Sequence, residues 1–109
     1  FCDVGEVVEY ESGQIMIEPQ LRAAFDASRR HVYLVYPWSL VNIFDQSVLL
    51  HELFHDVQQN AVDWPCMTAP EFEAYALQDM FLREHGVVYP FDWEAIWKLS
   101  VCPMMPARN

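Results

Sequence analysis

The apolar positions of this chain change period part-way along. Before about residue 40 they alternate or cluster in short bursts rich in β-branched and aromatic residues, and from Asp45 onward they recur at threes and fours. In GQIMIEP, Ile15 and Ile17 share one face and Met16 takes the other. HVYLVYP, His31 to Pro37, is a β-rich run stopped by proline, so both stretches are expected as strands. Between them PQLRAAFDASRR sets Leu21, Ala24, Phe25 and Ser28 at helical spacing after Pro19, which predicts a short helix or helical turn. Val48, Leu49, Leu53 and Val57, with Leu50 and Phe54 one face over, predict a helix over about 45–60, capped by Asp45 or Ser47. NAVDWPCMTAP ends it. A second helix is expected from near Pro70 through EFEAYALQDMFLREHG, with Phe72, Ala76, Met80 and Phe81 apolar and Gly86 as its stop; a third spans roughly Asp92 to Val101. Strands with a short helix first and helices after them make an α+β arrangement. There is no repeat, low-complexity tract or linker, so residues 1–109 are read as a single domain.

Composition agrees with a packed core. Hydrophobic residues make up 53% of the 109 and aromatics 15%, with three glycines, far from the balance of a disordered chain. No apolar run approaches the roughly 20 residues that span a bilayer, and the first residues, FCDVGEVVEYE, lack the basic start and apolar middle of a signal peptide. Six basic against sixteen acidic residues give a net charge of −10, which argues against binding nucleic acid or anionic membranes. A cationic substrate would be favoured, or the charge simply keeps the surface solvated. Of the three cysteines, Cys66 and Cys102 sit beside prolines at the edges of predicted helices, where a disulfide would staple a small domain, leaving Cys2 over. Such a pair would point to an oxidising compartment, secreted or periplasmic; buried reduced thiols in a cytosolic protein are the alternative.

The candidate chemistry lies in VLLHELFHDVQQ. On a helix His51 and His55 point the same way, one turn apart, and can offer ring nitrogens to one ion. Zinc requires such convergence, its bonds to histidine nitrogen being about 2.0–2.1 Å. Glu52 is rotated by about 100° from His51, which puts its carboxylate beside the metal, where it can take a proton from water. Leu50, Leu53 and Phe54 are expected to form a dry wall around the pair. A catalytic zinc site needs a third protein ligand and an open position for water. A metzincin would carry a glycine and a third histidine shortly downstream, and this chain instead continues Asp56, Val57, Gln58, Gln59, Asn60. The following helix offers Glu71 and Glu73, about 200° apart, so at most one can face the histidines. Thr68-Ala69-Pro70-Glu71 also fits a capping box, which would occupy Glu71 and leave Glu73 as the ligand.

HELFH followed by a helix carrying E-x-x-A resembles the gluzincin metallopeptidases, in which two histidines of HExxH and a glutamate from a later helix hold one zinc ion. The longer pattern, HELFHDVQ and then CMTAPEFEAYALQDMFL, is similar to small single-domain bacterial and phage proteins built on this core, and to the minigluzincins. The similarity covers about residues 31 to 102. It implies a small zincin-like fold, with His51, His55 and Glu71 as zinc ligands and Glu52 as the base. In the E-x-x-A-D form the ligand is the first glutamate, matching Glu71, with Ala74 three later; here Tyr75 replaces the aspartate, which changes what orients the ligands.

The other candidates are weaker. His31 and His85 have no partner at metal-binding spacing and are expected as ordinary histidines. Tyr75 and Gln78 are placed to orient a ligand or stabilise an oxyanion, or else are core polar residues. Trp38, Trp64, Trp93 and Trp97 are expected in the core or a pocket wall. The function expected is hydrolysis of a peptide or protein substrate by a zinc-activated water, with the strand His31 to Pro37 as the edge that pairs with it. The alternative is a metal-stabilised binding or structural domain, or a latent peptidase, marked by a fourth protein ligand or by the C-terminal segment CPMMPARN plugging the open position. A non-metal interaction module is a third reading.

Overall fold

The computed structural model describes residues 1–11 and 13–103, so residues 104–109 of CPMMPARN, and with them the expected plug, lie outside the described residues. Among the described residues the chain forms two two-stranded antiparallel sheets followed by three helices, the α+β arrangement expected. The first sheet pairs β1 (Val7–Tyr10) with β2 (Gly13–Met16), and the second pairs β3 (Ala23–Asp26) with β4 (His31–Leu34). The helices are α1 (Ile43–Ala61), α2 (Glu71–Glu84) and α3 (Trp93–Ser100). The N-terminal residues link the two sheets. Cys2 donates to Leu34 O at 2.9 Å and accepts from Tyr36 N at 3.0 Å, while Ile17 N donates to Glu6 O at 2.8 Å. Cys2, Ile17 and Val35 are buried together there, with Leu21 and Tyr33 packed against them. No helix among the described residues is long and apolar enough to cross a membrane.

The segment Pro19 to Arg30 departs from the expected short helix: it contains β3 and a turn. Its helical spacing is too brief to offset the cost of a helix nucleus, whereas pairing with β4 satisfies the backbone and buries Phe25 and Asp26. The Asp26 carboxylate closes the turn, accepting from Ser28 N at 3.0 Å, Ser28 Oγ at 2.7 Å and Arg29 N at 3.3 Å. Burial pushes this carboxyl up, but those hydrogen bonds outweigh it and hold it below the usual carboxylate range.

The helix ends also differ in detail from expectation. Asn42 caps α1, its Oδ1 accepting from Asp45 N at 3.0 Å, so neither Asp45 nor Ser47 is the cap. Asp45 is instead buried, ion-paired with Arg22 and accepting from Ser39 N at 2.9 Å. Pro70 precedes α2 with no side-chain cap, so the Thr68–Glu71 capping box does not form. α2 ends at Gly86 (φ 77°), with Val87 N donating to Leu82 O at 2.8 Å and Gly86 N to Arg83 O at 3.0 Å, the paired bonds of a glycine-ended helix. Side-chain links join Ser47 to Gln78 near the start of α1, and Gln58 to Pro70 near its end. The partners run backwards along the chain, so α2 lies antiparallel on α1. Cys66 and Cys102 are disulfide-bonded, tying the α1–α2 loop to the residue beyond α3, and Cys2 is free and buried. Trp97 is 58% exposed, unlike the core or wall position expected for it.

Candidate metal centre

The HELFH segment is helical, and its two imidazoles stand 4.8 Å apart between ring centres at an interplanar angle of 82°. Glu71, in the first turn of α2, comes to both. Its Oε1 lies 3.1 Å from His51 Nε2 and in closer contact with His55 Nε2. The ligand-capable atoms of His51, Glu52 and His55 all fall within 4.8 Å of one another. Glu73 is exposed and reaches only Gln58, at 3.3 Å, so the register of α2 brings Glu71 rather than Glu73 to the histidines. His31 and His85 are exposed and away from the site; His85 Nδ1 donates to Phe81 O at 2.8 Å.

The far nitrogen of each ring meets a glutamine. His51 Nδ1 is 2.9 Å from Gln78 Oε1, and His55 Nδ1 is 2.9 Å from Gln58 Oε1. Which end of each amide faces the ring follows from its other partner. Gln58 Nε2 donates to Pro70 O at 2.9 Å, and a carbonyl can only accept. Ser47 Oγ donates to Phe44 O at 2.6 Å, so it has a lone pair to accept from Gln78 Nε2 at 3.1 Å. Both oxygens therefore point at the histidines, both Nδ1 atoms carry protons, and both Nε2 atoms of the neutral rings turn bare lone pairs towards the Glu71 carboxylate.

Three acceptors converging without a donor repel one another, so this arrangement calls for a cation: a second proton on the rings or a metal ion. With the rings protonated, burial pushes Glu71 up, but its bonds to His51 and His55 dominate and hold its carboxyl down at about 2. Burial likewise lowers His55, and the contact with Glu71 outweighs it, leaving the imidazole above its ordinary value. Two imidazole nitrogens and one carboxylate oxygen are also the donor set of a three-ligand zinc site, so the residues present fit that ion.

Glu52 lies beside the two histidines. Burial raises its carboxyl, against a lowering pull from His51 and His55. It lines two cavities at once, one of about 600 Å³ on the His51 side and one of about 280 Å³ on the His55 side. β3 and the residue before it run beside both, with Arg22 and Ala23 on one side and Ala23, Ala24 and Phe25 on the other. Of the expected dry wall of Leu50, Leu53 and Phe54, Leu53 does not contribute, being 49% exposed. Phe25 stacks 6.4 Å from His55 and Tyr75 meets His51 edge-on at 4.4 Å.

Gln58, Ser47 and Phe25 had not been singled out as site residues. Two of them were detectable: Ser47, His51, His55 and Gln58 are spaced four, four and three apart, one polar stripe along a single face of the helix. Phe25 carried no such signal.

A family model described as a domain of unknown function (DUF6647) matches residues 1–107. The chain belongs to the DUF6647 family. No curated protein and no solved structure matches it.

Proposed function

We propose that this DUF6647 domain is a zinc-dependent peptidase of the gluzincin type, with His51, His55 and Glu71 as ligands and Glu52 as general base. The observation that carries the reading is the pair of histidines locked in one tautomer, with both bare nitrogens aimed at a single carboxylate. A zinc ion held there supplies a Lewis acid, which acidifies water and polarises a carbonyl. Glu52 takes the proton from the attacking water and returns it to the leaving amine; burial raises its carboxyl above the ordinary glutamate value, which makes it a better base. β3 supports the substrate. Val35 N bonds to Arg22 O at 2.9 Å, so by antiparallel alternation Ala24 and Asp26 face β4, while Ala23 and Phe25 turn their backbone groups to the other edge. That edge borders both cavities and suits an extended peptide. Along the strand at His31 to Pro37 the far edge is already bonded to Cys2 at Leu34 and Tyr36.

A second reading rests on Glu52 itself. Its carboxylate is near enough to the histidines to serve as a fourth protein ligand, which would close the site and make the metal structural. The test is metal analysis of the purified protein beside His51→Ala and Glu71→Ala, followed by digestion of a broad peptide library by wild type and Glu52→Gln. The peptidase reading expects about one zinc per chain, lost in both ligand variants, and cleavage abolished in Glu52→Gln with zinc retained. Zinc lost from Glu52→Gln as readily as from Glu71→Ala, without cleavage by the wild type, would instead establish the closed structural site.

A further inference from the structure

We propose that the Cys66–Cys102 disulfide is a thiol-sensitive switch on the metal centre: with the bond closed the site holds its ion, and with the bond opened by a dithiol reductant it releases it. This rests on the zinc reading of the site and deepens it by naming its regulation.

The bond sits where one short segment governs two of the three proposed ligands. Residues 66–71 are wound into consecutive turns, with Ala69 N donating to Cys66 O at 3.2 Å and Glu71 N to Thr68 O at 3.1 Å, so a displacement of Cys66 is passed on to Glu71. It also reaches His55. Pro70 O, inside the same segment, accepts from Gln58 Nε2 at 2.9 Å and thereby turns Gln58 Oε1 towards His55 Nδ1, at 2.9 Å. Met67 and Thr68, between the cysteine and the glutamate, line the cavity on the His55 side.

The segment has weak support of its own, since α2 begins without a side-chain cap. Its first turn leans on α3 through Phe72, whose ring lies 5.8 Å from Trp93 and 5.6 Å from Trp97. α3 is 8 residues long with Ile96 as its buried residue, and so short a helix is not stable alone. Cys102 ties the end of α3 to Cys66, so the disulfide, α3 and the first turn of α2 brace one another. The rest of the fold is held elsewhere: Cys2, Ile17 and Val35 are buried between the two sheets, and Ser47 and Gln78 join α1 to α2 away from the disulfide. Opening the bond therefore loosens the ligand-bearing turn ahead of the fold, as a local unfolding.

Pro65, Met67, Val101 and Pro103, on either side of the half-buried cysteines, are exposed, so the bond lies at the surface within reach of a reductant. A reductant thiolate attacks one sulfur, and the Cys66–Cys102 bond breaks as a mixed disulfide forms. The reductant's second thiol then displaces the protein sulfur. The reductant leaves as its own disulfide, and the protein gains two electrons and two protons as two thiols.

The experiment compares the full oxidised chain, the same chain reduced with a phosphine, and the double variant Cys66→Ser with Cys102→Ser, which removes the new thiols as rival zinc ligands. Zinc affinity is read by competition with a chromophoric chelator, and amide hydrogen exchange is followed in the zinc-free forms. Affinity should fall about tenfold or more in the reduced and double-serine forms, as when the competent arrangement is populated in about one molecule in ten or fewer. Re-oxidation of the reduced chain with oxidised glutathione should restore it. The amides of Ala74 and Tyr75 should lose protection while residues 48–54 of α1 keep theirs. Zinc bound equally well by all three forms overturns the switch alone. Loss of protection throughout α1 also overturns it, because the bond is then a staple of the whole fold. Absence of zinc from the oxidised chain defeats the metal reading and the switch with it.

Discussion

At the scale of single residues, the two glutamines matter most among the groups that touch no substrate. On the proposed reading each histidine would offer Nε2 to a metal while its Nδ1 holds the proton, and Gln78 and Gln58 favour that state because their amide nitrogens are tied to Ser47 Oγ and the Pro70 carbonyl. Gln78→Leu and Gln58→Leu are each expected to weaken zinc binding by about 10–100-fold in competition with a chelator, with the fold retained. Glu73→Gln should change zinc affinity little, because its carboxylate faces solvent and reaches only the Gln58 amide. HELFH was readable from spacing alone, since a helix brings residues four apart onto one face. The choice of Glu71 over Glu73 was not, because both stand at the start of a helix whose rotation depends on what it packs against.

At the scale of elements, the short strand β3 carries the most unexpected weight. Leu21, Ala24, Phe25 and Ser28 repeat as a helix would, yet the segment pairs with β4 and buries Asp26 inside its own turn. Local propensity is weak over so few residues and the pairing overrides it. Since the folded carboxyl of Asp26 sits below its ordinary value of about 3.9, its contribution to stability is complete above that pH and is lost as pH falls through the folded value. Asp26→Asn should therefore lower Tm near neutrality, and the gap from wild type should shrink as the pH falls below the ordinary carboxylate range. A gap independent of pH would assign the effect to shape rather than charge. For α1, Asn42→Ala should cost about 1 kcal/mol in thermal or urea denaturation, whereas a cap at Asp45 would have left it neutral.

At the scale of the whole molecule, the disulfide encloses α2 and α3 and so holds Glu71 and one wall of the large cavity in the same loop. Cys66 and Cys102 are 36 residues apart in sequence, and closing a loop of that length removes about 4 kcal/mol of unfolded-state entropy. Reduction, or the double change Cys66→Ser and Cys102→Ser, should lower the urea midpoint accordingly. The large cavity likewise belongs to no single element: β3, α1, α2, α3 and the residues leading into α3 each supply part of it.

The linear chain by itself determined the helices, the HELFH face, the α+β order and the two cysteines worth pairing. Each of these depends on residues a few positions apart, or on composition. Only tertiary packing decided which glutamate meets the histidines, that their tautomers are set by two glutamines, that Pro19 to Arg30 yields a strand beside the site, and that a cavity of about 600 Å³ opens next to Glu52. Those outcomes depend on the register between elements, which is the sum of many weak contacts from distant parts of the chain and leaves no periodic trace in any one of them.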